Sequence, residues 1–200
     1  CYNTPGLSHP FCSASNFTRN RQTGEIDFLS AQPVNAASER LSGIDLGAIY
    51  QFDLAGWKAS ISADVSYLKN YDVKPFPGAD DINYAGKITG GRGSYTHWRS
   101  FTSLTMMRGS WSGSYSVQYI GAADDINASR GDIGDRAPGL TYHNVQLKYV
   151  ANKSLDIAFG IDNLWDKQAP FIQSYTDANT DTMTYDLLGR RWNAKLTYRW

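Results

Sequence analysis

The chain has 200 residues, 19 basic and 19 acidic side chains and a formal net charge of zero, so with a pI near 7.0 it offers no electrostatic case for nucleic-acid binding. Mean hydropathy is -0.44 and no apolar run reaches the roughly 18 residues of a membrane-crossing helix. Neither fact excludes a membrane barrel, whose alternating strands average to a polar composition, and thirteen Tyr, six Trp and 18 Gly against two Cys and three Met favour strands joined by tight turns.

The sequence opens on Cys1 with no signal peptide ahead of it, and is expected to be a mature fragment of a longer product. Residues 1–41 read as a loop region rich in turn formers. Cys1 and Cys12 are spaced to close a small disulfide loop in an oxidising compartment. A metal held by Cys1, His9 and Cys12 is the sharper alternative, but no fourth ligand is evident and the spacing matches no zinc pattern. Gln22-Thr23-Gly24-Glu25-Ile26 suggests a turn entering a short strand.

From residue 42 the chain alternates. Ile44, Leu46, Ala48, Tyr50 and Phe52 share one face, and Asp53-Leu54-Ala55-Gly56 makes a tight turn. Trp57, Ala59, Ile61, Ala63, Val65 and Tyr67 return on that same face, with Lys58, Ser60, Ser62, Asp64 and Ser66 opposite. A polar stretch of 69–96 should be a surface loop with a role of its own. A second hairpin spans 98–108 and 111–120 around Arg108-Gly109-Ser110; its first arm has no clean faces. After a loop at 121–138, a third hairpin pairs 142–149 with 155–164. A last loop at 165–188 leads to Trp192, Ala194, Leu196, Tyr198 and Trp200 on one face, with Arg191, Asn193, Lys195, Thr197 and Arg199 on the other.

Short turns alternate with long loops, which is the asymmetry of a transmembrane β-barrel with short periplasmic turns and long extracellular loops. The fold class read here is therefore all-β: about seven antiparallel strands over residues 42–200, with residues 1–41 an extracellular loop region. An odd strand count cannot close a bacterial single-chain barrel, and an open sheet edge is not viable in lipid, so further strands must come from elsewhere.

No catalytic constellation stands out. His9, His97 and His143 fit neither a triad nor a metal site, and no Gly-x-Ser-x-Gly occurs, so no enzyme, metal or cofactor is expected. Asp80-Asp81, Asp124-Asp125 and Asp177 to Asp181 could offer oxygen ligands to calcium, but complete no calcium-loop pattern and read as solvated carboxylates. The Asn-x-Ser/Thr triplets at Asn16, Asn127 and Asn152 are taken as chance. On the outer loops Tyr84, Tyr95, His97, Tyr175 and Asp177 are candidates to stack on or hydrogen-bond a ligand; each serves equally well as an ordinary loop residue.

Four stretches carry a resemblance. They are Cys1-Tyr2-Asn3 through Cys12, Gly43-Ile44-Asp45-Leu46, Ile161-Asp162-Asn163-Leu164-Trp165-Asp166-Lys167-Gln168-Ala169-Pro170-Phe171, and Tyr185-Asp186 through Gly189-Arg190-Arg191 to the end. Together they resemble the C-terminal portion of a TonB-dependent outer-membrane receptor. The resemblance implies a 22-stranded barrel around an N-terminal plug domain, of which this chain supplies about the last seven strands. It implies outer-membrane lipid, the missing strands and plug, and the TonB complex as partners. It implies import of a scarce nutrient: ferric siderophore, haem, cobalamin or oligosaccharide. Trp200 matches the family's barrel-assembly signal, and the row Arg191, Lys195 and Arg199 would face the plug or lumen water. The rival readings are a barrel without transport, such as an adhesin or small outer-membrane enzyme, and a soluble β-sandwich binding module.

Overall fold

A computed structural model describes residues 6, 12–13, 16–30, 38–76, 78–90, 92–175 and 177–200. The chain divides into two units, Cys1–Ala37 and Ser38–Trp200. In the first, β1 (Phe17–Arg19) pairs antiparallel with β2 (Ile26–Leu29). The turn expected at Gln22 lies between them, held by Asn20, whose Oδ1 accepts the Gln22 and Thr23 N–H groups at 2.8 and 3.2 Å. Cys1 and His9 lie outside the described residues, so neither the Cys1–Cys12 closure nor the rival Cys1, His9, Cys12 site is described.

The second unit is built on seven strands in one antiparallel sheet. In chain order its strands are β3 (Ser38–Leu54), β4 (Trp57–Lys74), β5 (Ile82–Asn83), β6 (Lys87–Thr89), β7 (Gly93–Tyr95), β8 (Trp98–Arg108), β9 (Trp111–Ile120), β10 (Ala123–Asp125), β11 (Arg136–Ala137), β12 (Leu140–Val150), β13 (Leu155–Asp162) and β14 (Arg191–Tyr198). The main sheet runs β14-β13-β12-β9-β8-β4-β3, a plain meander with β5 added beside β4. The seven long strands overlap the seven expected segments, with β3 and β4 running beyond them to Ser38 and Lys74.

Two-residue turns close the first two hairpins. Ala55 and Gly56 both have positive φ, 49° and 81°, the backbone of the turn type whose twist matches a hairpin. Gly109, at φ 54°, serves the second.

Register carries one face across the whole sheet, because residues directly opposite on paired strands point the same way. Tyr50 faces Ile61, Ile61 faces Leu104, Leu104 faces Tyr115, Tyr115 faces Val145, Val145 faces Ile161 and Ile161 faces Trp192. The next row is polar: Ser62 faces Ser103, Ser103 faces Ser116, and Ser116 faces Asn144. The faces of β8 follow from this pairing. Trp98, Ser100, Thr102, Leu104 and Met106 share the apolar side, while Phe101 and Met107 sit on the polar side.

Among the described residues none covers the apolar face. Leu46 is 66 % exposed, Trp192 63 % and Leu196 68 %. Aromatic pairs rim it at both ends: Trp111 and Tyr149 at 4.5 Å by the short turns, Tyr67 and Trp98 at 4.6 Å by the long connections. One polar pair lies on it, His143 Nδ1 and the Tyr115 hydroxyl, 2.5 Å apart and so mutually satisfied. A water-soluble sandwich would bury such a face against a second sheet.

The buried core lies at the loop end instead. Ile88, Ile120, Ala123, Ala137, Tyr142, Ile172, Tyr175 and Tyr185 form one cluster, with Leu140 and Ala169 against it. Here the structure departs from the plain loop expected at 69–96. β4 runs on to Lys74, and a bulge between Ser42 and Gly43 leaves Lys69 without a partner. The bulge shifts the phase of the alternation, so the pattern followed as far as Tyr67 breaks while the pairing does not. Beyond it Tyr71 and Val73 are buried with Tyr84. The connection then adds β6 and β7 to a small sheet of order β11-β10-β6-β7, in which β10 and β6 are parallel.

Candidate functional site at the loop end of the sheet

Three connections, 75–97, 121–139 and 163–190, are bound into one cap over this end. The Ile126 N–H donates to the Ile88 carbonyl at 3.0 Å, and Lys87 meets Asp124 at 3.3 Å, joining the first two. Asp125, buried, accepts the Ser174 N–H at 3.0 Å, tying the second to the third. Asp181, fully buried, accepts from the Ser94 hydroxyl at 2.6 Å, and the Tyr175 hydroxyl donates to the Thr89 carbonyl at 2.9 Å, tying the third to the first. Buried carboxylates that accept fixed donors make costly contacts to break.

The segment after β13 is shaped by Asn163, which is buried at a φ of 51°. Its N–H donates to Asn144 Oδ1 at 2.9 Å. Its side-chain Oδ1 accepts the Lys167 N–H at 2.8 Å while its Nδ2 donates to the Lys167 carbonyl at 2.9 Å. Asp166 Oδ1 then accepts the Arg190 N–H at 2.8 Å. A Cβ on Gly189, at φ 69°, would stand 2.6 Å from that same Asp166 oxygen. The Asn-Leu-Trp-Asp-Lys element and the Gly-Arg-Arg element are thus two halves of one local lock.

Between this connection and the polar sheet face lies an open cavity of about 450 Å³. Gln118, Tyr142, Asn144, Asp162, Tyr185 and Arg191 line it, with Met183, Thr184 and Asp186 above. Arg191 Nη1 holds Asp186 at 2.8 and 3.0 Å, and its Nε lies 4.0 Å from Asp162. Partial burial pushes the Asp186 carboxyl up, but the Leu188 N–H and the Arg191 guanidinium outweigh it and hold the group below the usual carboxylate range. The Tyr142 hydroxyl accepts the Asp186 N–H at 3.1 Å. The Tyr185 hydroxyl is buried in the cap, near Ser94. Burial, then the charge of Asp181, pushes both Tyr175 and Tyr185 up to about 12.

The structure scatters the loop residues singled out in the sequence. Tyr84 and Tyr95 come together, 6.0 Å apart, each also packed on Tyr71. The Tyr95 hydroxyl donates to the Arg92 carbonyl, and Arg92 lies over the Tyr84 ring at 5.4 Å. His97 donates through Nδ1 to the Leu68 carbonyl at 2.7 Å. Tyr175 belongs to the other buried cluster, and Asp177 is exposed on its own. None of the five lines the cavity. Sequence reasoning missed Gln118, Tyr142 and Asn144, whose polar positions on otherwise alternating strands were the available signal. Among the described residues no group of three or more His, Cys, Asp or Glu converges as a metal site.

A family model described as TonB dependent receptor-like, beta-barrel matches residues 13–164. No curated protein matches. Among solved structures, the copper transporter OprC is similar over 80% of this chain and 23% of its own, at 21% identity and a TM-score of 0.50. The ferric-catecholate import receptor Fiu from E. coli K12 matches over 90% of this chain and 22% of its own, at 13% identity and a TM-score of 0.42. A mutant ferric enterobactin receptor, PfeA, from Pseudomonas aeruginosa matches over 78% and 31%, at 14% identity and a TM-score of 0.36. The chain spans less than a third of each of these proteins, and the likeness to OprC is one of fold.

Proposed function

Because the chain belongs to the TonB-dependent receptor-like β-barrel family, we propose that it forms the C-terminal part of an outer-membrane receptor that imports a scarce nutrient with energy relayed by the TonB complex. The observation that carries this reading is the sidedness of the seven-stranded sheet: a continuous uncovered apolar face rimmed by aromatic pairs, backed by a polar face. Acyl chains would cover the first and a lumen with its plug would meet the second. Both outer strands, β3 and β14, carry backbone groups that need further strands of the same receptor. The cap and the cavity beneath it would receive the nutrient, with Asp177 at the exposed surface and Tyr84, Tyr95, His97 and Tyr175 holding the loops in shape. Cys1 and Cys12 would close the outer loop, and Trp200 would signal barrel assembly. No enzymatic role is part of this reading.

The full-length receptor, expressed in a Gram-negative host, should fractionate with the outer membrane and retain the purified periplasmic domain of TonB on a column. Recovery from the soluble fraction, or passage of TonB unretained, overturns the assignment. Thiols of Cys1 and Cys12 should alkylate only after reduction, and deletion of Trp200 should lower the yield of assembled barrel.

A further inference from the structure

We propose that the cavity between the polar sheet face and the connection 163–190 takes a neutral, hydroxyl-rich ligand, a saccharide or polyol, and not an anionic metal chelate. This rests on the receptor reading and names its cargo.

Charge is the first argument. Asp162 and Asp186 against Arg191 leave one negative charge in excess. Arg191 is also committed: Nη1 is bonded to both Asp186 oxygens and lies 3.3 Å from the Gly189 carbonyl. An anion at that guanidinium would share its charge with Asp186 and face Asp162 as well, so the pocket's electrostatics work against it.

The second argument is what remains unused. The Tyr142 hydroxyl accepts the Asp186 N–H, which leaves its own proton to donate. Tyr185 borders the cavity too, but its hydroxyl is buried within the cap and is not offered to a ligand. The exposed Gln118 amide both donates and accepts. Among the described residues Asp162 is approached by Arg191 alone, at 4.0 Å, and keeps carboxylate lone pairs for two hydroxyl protons. Mixed donors and acceptors around one carboxylate suit a ligand whose every oxygen can both give and take a hydrogen bond. The rings of Tyr142 and Tyr185 are packed in the core, so recognition runs through polar atoms and not through stacking. The volume, about 450 Å³, is that of a small-molecule pocket.

The test applies full-length receptor in detergent to an array of immobilised neutral glycans, and in parallel to immobilised ferric tricatecholate, ferric citrate and spermidine. Retention is expected on neutral glycan alone. Asp162→Ala should weaken it about tenfold, and Gln118→Ala by less, with the heat-modifiable gel migration of the folded barrel unchanged in both. Retention on the chelates or the polyamine alone, retention on no surface, or full-strength glycan binding by Asp162→Ala overturns the inference. TonB retention is measured on the same preparation, so the receptor reading fails or survives separately.

Discussion

Asn163 closes on Lys167 with both ends of its amide, Oδ1 receiving the Lys167 N–H at 2.8 Å and Nδ2 donating to the Lys167 carbonyl at 2.9 Å. A third bond, from its own N–H to Asn144, anchors this lock to β12. Asn163→Ala removes the first two inside a buried setting and puts alanine in a left-handed backbone. A loss of about 2–4 kcal/mol of local stability is expected. Hydrogen exchange should quicken across 163–190 and stay slow in β8 and β9; equal protection in parent and variant would show that the lock contributes nothing.

Gly189 and Asp166 give a second handle on the same lock. Gly189→Ala meets both a positive φ of 69° and a clash at 2.6 Å. It should cost about 1–2 kcal/mol. Asp166→Ala in the same chain relieves the clash but also removes the bond to the Arg190 N–H, so the double variant should be less destabilised than the sum of the two single variants and still less stable than the parent. Thermal unfolding of single and double variants separates the two contributions.

The two sheet faces predict opposite responses to charge. Leu104→Lys puts an ammonium on the apolar face, where a mid-membrane lysine costs about 2–4 kcal/mol. Ser103→Lys, its neighbour on the polar face, should be nearly neutral. Denaturant unfolding in lipid bilayers distinguishes the pair, and equal costs would contradict the assignment of faces.

Tyr175 and Tyr185 should be the last phenols to ionise. Ultraviolet titration should leave two of the 13 tyrosines protonated until pH approaches about 12. Their folded values lie above the ordinary 10.0, so the stability linked to them is complete below pH 10 and is lost as pH rises from 10 to about 12. Loosening of the cap should follow the same window.

Asp186 acts at the other end of the scale. Its folded value is depressed below 3.8, so its contribution is present above that pH and is lost as pH falls below it. Proteolysis of the 163–190 connection should accelerate there, and Asp186→Asn should remove that dependence.

Most of the sheet was legible because one apolar face and one polar face enforce a period of two over many residues. β8 was the exception: Phe101 and Met107 put apolar side chains on the polar face while Ser100 and Thr102 sit on the apolar one, so only pairing with β4 and β9 resolves it. The cap was not legible. Its parallel contact between Lys87 and Asp124 joins segments far apart in sequence, and no local pattern announces such a pair. Tyr84 and Tyr95 pack on each other and on Tyr71 of β4, a grouping that no local pattern announces. At the cavity, Arg191 was recognised as inward-facing, but Asp186, its partner, lay hidden in a loop.

Ile88, Ala137 and Ile172 come from three separate connections and share one buried centre. An immune system would therefore meet this surface as a single discontinuous epitope. Antibodies raised against the intact receptor should bind poorly to peptides copied from any one segment, and an escape substitution in one connection should alter recognition of the others.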